Sequence, residues 1–252
     1  MVFPQGGTGC PPFFLRISIR MIFQRYFKTG QKVQLRVKNQ PPLDGRAELL
    51  GAILDSGDEE HFVLQLPYGP NTVQDYPLPP GLDLELSADA MGLGVKVSVV
   101  IQDALAGDRI RVRVHNDLQM FQRRAEPRID CNLAIHITRG RNALGGLRQT
   151  WEKQTALLAE SHGVQSLEGF HSREVNLSSG GIRLKVPPPA EPADVYLLQI
   201  ALADRKPPLC ALAEIIWVSE QPQDQLFYAG MRFINILDQD QKRIASFIRE
   251  SS

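Results

Sequence analysis

The chain carries no net charge, because 28 lysines and arginines are matched by 28 aspartates and glutamates over 252 residues. That balance excludes a general binder of nucleic acid or of an anionic membrane surface, whose affinity comes from massed basic side chains. Cysteine is scarce, with only Cys10, Cys131 and Cys210. An odd count at such wide spacing supports no zinc site; reduced structural thiols, as in a cytosolic protein, are the expectation. No apolar run is long enough to span a bilayer. Residues 1–20 contain Phe13, Phe14, Leu15, Ile17 and Ile19, but Arg16 interrupts them and a Gly- and Pro-rich stretch precedes them. That makes a poor signal peptide. Residues 1–26 read as an N-terminal extension without regular structure, and Met21 offers a second start where the globular pattern begins.

Enzyme signatures are lacking too. Gly6-Gly7-Thr8-Gly9 has neither the lysine of a phosphate loop nor a strand before it. Gly92-Leu93-Gly94 runs into Val95-Lys96-Val97, a hairpin and strand rather than a dinucleotide fingerprint. There is no His-Glu-x-x-His and no Gly-x-Ser-x-Gly. His61, His115, His136, His162 and His171 do not cluster, and Asp58-Glu59-Glu60 lies in a turn. A catalytic carboxylate pair needs two environments that push its pKa values apart, which a solvated turn does not supply. The residues therefore make no case for catalysis, a metal or a cofactor.

What the chain does have is short strands. A 43% hydrophobic content suffices for one large or two small domains. Val33, Leu35 and Val37 alternate with Lys32, Gln34 and Arg36, the period of a half-buried strand. Residues 49–54, 62–66, 82–86, 95–101 and 110–114 repeat the theme, separated by turn formers such as Asp44-Gly45 and Ser56-Gly57-Asp58. Residues 116–128 break it and lead into the basic run Arg123-Arg124-Ala125-Glu126-Pro127-Arg128. Beyond it, Cys131, Leu133, Ile135 and Ile137 lie on one strand face. Leu144, Leu147, Trp151 and Leu158 recur at helical spacing within about 139–169, which predicts an inserted helix lying on its own barrel. Strands return from Phe170 to Ile236. A final helix follows, capped by Asp238 with Gln241 as its reciprocal partner and Ile244, Phe247 and Ile248 as its apolar face. The fold class is mainly β: two β-barrel-like domains, the first split-barrel-like over 27–118 and the second over 129–252. A basic linker at 119–128 joins them, with an inserted helix and a C-terminal α-helix.

Two short motifs stand out. Arg124-x-x-x-Arg128, with Arg123 beside it, opens the second domain. Asn176-Leu177-Ser178-Ser179-Gly180-Gly181 sits between two later strands. Alone, the first is an ordinary solvated patch and the second a tight turn. In this order, at the start of a barrel pattern, they resemble the PilZ family. Trp217, the stretch Tyr228-Ala229-Gly230-Met231-Arg232-Phe233 and the terminal helix extend the resemblance over about residues 121–250. The β-rich segment before it is similar to the tandem architecture of flagellar-brake proteins.

The resemblance implies a receptor for cyclic di-GMP whose ligand-binding residues are Arg123, Arg124, Arg128, Asn176, Ser178 and Gly181. The chemistry is intelligible. An arginine fork matches phosphate oxygens and the N7 and O6 acceptors of guanine, and it stacks on a purine face. Asn176 accepts from a guanine N–H, Ser178 donates or accepts, and Gly181 lets backbone approach closely. Asparagine stands where the family more often has aspartate; one lost charge-assisted bond weakens binding by roughly 1 kcal/mol without abolishing it. The implied mechanism is a ligand-gated hinge that reorients the first domain and alters a protein-binding surface, in motility or surface behaviour. The unidentified partner has the flagellar motor as its candidate, and the location is cytoplasmic. The rival reading is a PilZ-fold interaction module that binds no nucleotide.

Overall fold

The structure is a computed structural model and describes residues 26–38, 46–58, 60–70, 72–76, 78–90, 93–122, 127–140, 144–160, 168–202, 204–219 and 225–251. Arg123, Arg124 and nearly all of the N-terminal extension lie outside the described residues.

The first barrel comprises β1 (Lys32–Val37), β2 (Arg46–Gly57), β3 (His61–Gln65), β4 (Asp83–Ala90), β5 (Leu93–Leu105) and β6 (Arg109–Val114). Alternation does the sorting. Val33 and Leu35 of β1, Leu84 and Leu86 of β4, and Ile110 and Val112 of β6 turn inward, while their polar neighbours face out. The antiparallel order is β1-β4-β5-β6-β3-β2. It closes on itself where Leu35 pairs with Leu50 and Val33 with Ala52. The first outward arginines find carboxylates at hand: Arg109 reaches Asp55 at 3.3 Å and Arg111 reaches Asp103 at 3.4 Å.

The second barrel runs through β8 (Ile129–Arg139), β9 (His171–Ser178), β10 (Gly181–Val186), β11 (Val195–Ala201), β12 (Leu209–Val218) and β13 (Phe227–Leu237). Its order is β13-β10-β9-β8-β11-β12, closed by β12 against β13. Leu133, Ile135, Leu177, Leu184, Leu198, Ala211 and Phe233 fill its interior.

Four features differ from the expectations above. Gln119–Phe121, expected as linker, forms a short strand β7 that pairs with β5. Its three side chains are exposed, so no inward alternation betrays it; the Cβ-free Gly94 opposite Phe121 gives the ring room to lie across the pair. Second, the two sheets are continuous. The first residues of β2 pair with the last of β13, Glu48 opposite Asn235 and Arg46 opposite Leu237. Third, the inserted helix does not lie on its own barrel alone. Besides α1 (Thr72–Asp75), the chain has α2 (Leu144–Glu160), which packs on β11 and β12 of the second barrel and on α1 of the first. Leu144, Leu147 and Trp151 join the core cluster of the first barrel. Trp151 donates its indole N–H to the Cys210 carbonyl at 3.0 Å, and Arg148 meets the buried Glu48 carboxylate at 2.6 Å. The helix is a wedge between barrels. Fourth, α3 (Asp238–Ser251) buries Ile244 and Ile248 as expected, but Gln241 donates to the Ser179 carbonyl at 3.3 Å instead of completing a capping box. The terminal helix thus holds the motif turn from behind.

Candidate functional site

The β9–β10 hairpin of the second barrel carries Asn176, Ser178 and Gly181. β9 and β10 form a tight hairpin in which Ser178 pairs with Gly181, Leu177 with Ile182 and Asn176 with Arg183. Leu177 and Ile182 point into the core, so Asn176, Ser178, Gly181 and Arg183 share the opposite face. Ser178 closes the hairpin by donating to the Gly181 carbonyl at 3.2 Å, and it is largely buried.

Arg128 is exposed and immediately precedes Ile129, which pairs with Leu177. Arg128 thus lies one residue before the start of the β8–β9 ladder. The ladder brings the end of the linker to the hairpin, though 48 positions separate Arg128 from Asn176 in the chain.

Gly181 differs from its expected role. A Cβ there would meet the Met231 carbonyl at 2.3 Å. The backbone that approaches it is strand β13 of the same barrel. The glycine is required by strand packing before any ligand arrives.

Residues that the motif does not name complete this face. Asp130 of β8 pairs with Asn176. Its Oδ1 accepts from Asn176 Nδ2 at 2.9 Å and from Arg183 Nη2 at 3.2 Å. The Arg183 guanidinium also lies 5.7 Å from the centre of the Tyr228 ring, which Lys185 approaches at 5.2 Å. Beyond Arg183 the row continues to Gly230 and then Trp217. Gly230 has no side chain, and the Trp217 indole occupies that space: a Cβ would sit 2.0 Å from its Nε1. The result is one band across five strands, Asp130–Asn176–Arg183–Gly230–Trp217, with Trp217 still 46% exposed. The period of two could have found Arg183, which follows Gly181 by two residues. Asp130 needed the β8–β9 register, which the intervening helix hides from the sequence.

The face connects inward. Arg232, opposite Gly181 on β13, donates to Glu214 Oε2 at 2.9 Å. Glu214 also accepts from the hydroxyl of Tyr68, a residue of the first barrel. Arg232 and Glu214 line an interbarrel cleft of about 340 Å³ together with Lys32, Gln34, Asp89 and Ile216. Among the described residues no group of histidines, cysteines and carboxylates could hold a metal ion, and no helix is long and apolar enough to cross a membrane.

Among curated proteins, none matches the chain in sequence. Solved structures similar to it include the Bacillus subtilis inhibitor of motility MotI/DgrA, at 13% identity, with 89% of this chain and 97% of that one covered and a TM-score of 0.35. MrkH of K. pneumonia, in complex with c-di-GMP, is similar at 14% identity, with 94% and 93% covered and a TM-score of 0.33. YcgR of Escherichia coli, also in complex with c-di-GMP, is similar at 12% identity, with 95% and 88% covered and a TM-score of 0.33. The PilZ domain model matches residues 122–250, the span that holds the closed second barrel, the Asn176–Gly181 hairpin and the terminal helix, and the chain belongs to that family.

Proposed function

We propose that this chain is a cytoplasmic receptor for cyclic di-GMP that regulates a protein partner in motility or surface behaviour, and that it is not an enzyme. The observation that carries the reading is the β8–β9 register: Ile129, next to Arg128 in the chain, pairs with Leu177, which lies between Asn176 and Ser178. A cation and a rigid polar hairpin suit a ligand with two phosphates and two guanines. Arg123 and Arg124 supply further phosphate contacts from the linker that precedes Arg128.

Ligand binding changes the arrangement of the barrels. The route runs from Gly181 to its strand partner Arg232, on to Glu214, and across to Tyr68 of the first barrel. The strand pairing between β2 and β13 restrains that change to an adjustment of the joint instead of a free swing. A ligand biases such an equilibrium only by its differential affinity for the two arrangements. The regulated partner, with the flagellar motor as its candidate, meets the surface so altered.

Calorimetric titration of cyclic di-GMP into the full chain tests the reading. Binding at micromolar Kd or tighter, about −8 kcal/mol, is expected. Arg128→Ala removes most of that affinity while the melting temperature stays put. A folded chain that gives no heat at tens of micromolar ligand, roughly tenfold above that Kd, leaves the interaction-module alternative standing.

A further inference from the structure

We propose that Asp130 supplies the anionic acceptor for the guanine edge that the motif position itself, Asn176, lacks. The inference rests on the receptor reading above and names a specificity-determining residue for it.

An aspartate at position 176 would offer two charged acceptors to the adjacent N1–H and N2–H donors of a guanine. Asparagine offers one neutral acceptor and an amide donor that faces the wrong way for that edge. In this chain the amide donor is already spent. Asp130 stands directly opposite Asn176 across the β8–β9 ladder, and its Oδ1 accepts from Asn176 Nδ2 at 2.9 Å. A carboxylate only accepts, so the amino group of Asn176 must be the atom turned toward it. Asn176 Oδ1 is left as the acceptor on the outer face.

Asp130 itself is committed on one side only. Arg183 Nη2 shares the same oxygen, Oδ1, at 3.2 Å. Among the described residues Oδ2 has no hydrogen bond, and the side chain is 71% exposed. This leaves one neutral and one charged acceptor, Asn176 Oδ1 and Asp130 Oδ2, on two residues paired across adjacent strands. Together they match the donor pair of guanine, and Arg183 holds the carboxylate in place. The arrangement divides the work of one aspartate between two residues.

The plainer role for Asp130 is an exposed ion pair with Arg183. Such pairs contribute little to folding, so stability does not report on the proposal and ligand selectivity does. The experiment compares wild type, Asp130→Asn and the double variant Asp130→Asn/Asn176→Asp, each checked by thermal melting. Each is titrated with cyclic di-GMP and with cyclic di-IMP, which lacks the guanine 2-amino group. Wild type is expected to prefer cyclic di-GMP. D130N should bind it about fivefold or more weakly, the loss of one charge-assisted bond, with the preference over cyclic di-IMP collapsed and the melting temperature unmoved. The double variant, which returns a carboxylate to position 176, should recover both affinity and preference. D130N that binds within twofold of wild type with its preference intact overturns the proposal and leaves the receptor reading standing. So does an equal loss for both ligands, which would mark Asp130 as a support for the hairpin. A wild-type chain that binds neither ligand sinks both readings.

Discussion

Tyr68 and Glu214, one from each barrel, share a hydrogen bond of 3.0 Å at a position where both side chains are buried. Burial, reinforced by the Glu214 charge, holds the Tyr68 hydroxyl well above its ordinary range, so it stays a neutral donor. The same oxygen accepts from the Gly51 backbone N–H. Glu214 keeps a second partner in Arg232. The two barrels are thus stitched by buried polar groups.

Tyr68→Phe should therefore cost more than a surface hydrogen bond. It leaves the Gly51 N–H without an acceptor and the carboxylate short of one donor, a loss of about 1–3 kcal/mol. Urea unfolding followed by circular dichroism measures it. A shift within error would mean that the hydroxyl contributes nothing to the joint.

Arg148→Met tests the other side of the wedge. Glu48 is only 5% exposed and depends on Arg148 at 2.6 Å. Losing its charged partner costs a buried carboxylate about 3 kcal/mol. Adding Glu48→Gln to the same chain should return much of that stability, because the neutral amide needs no counter-charge. Denaturant midpoints of the two variants and wild type give the answer.

The two tryptophans offer an optical probe. Trp151 is 1% exposed and Trp217 is 46% exposed at the end of the polar band. Adding cyclic di-GMP should quench or shift the emission of the chain, and Trp217→Phe should remove most of that change. An undiminished response in Trp217→Phe would place the ligand on another face.

Gly181→Ala is expected to be a poor test of binding and a good test of packing. Its Cβ would collide with the Met231 carbonyl, a backbone atom that cannot swing aside. We expect a destabilisation of about 1–3 kcal/mol, typical of overpacking, with lost ligand affinity as a by-product. Loss of binding with full stability would restore Gly181 to a direct contact.

The strands were legible wherever one face is buried and the other wet, as in Ile110, Val112 and Val114 against three arginines. The terminal helix showed itself through Ile244 and Ile248. The Asn176–Gly181 segment was legible as a turn, and its five-strand band was not, because strand order is not written in spacing. The helix at Leu144–Glu160 separates β8 from β9 in sequence, so Asp130 and Asn176 give no sign of being partners. The same helix shows an apolar stripe without showing what covers it, and part of its cover comes from the first barrel. Gln119–Phe121 escaped because a strand exposed on both faces has no alternation to read.

Strand β2 belongs to both barrels: its later residues pair with β1 and β3, and its first three with β13. Severing the chain between the barrels would strip each of a neighbour and leave open rows of backbone donors and acceptors, ready templates for a second copy. The natural failure of such fragments is domain exchange or aggregation. The intact chain should correspondingly melt as one cooperative unit.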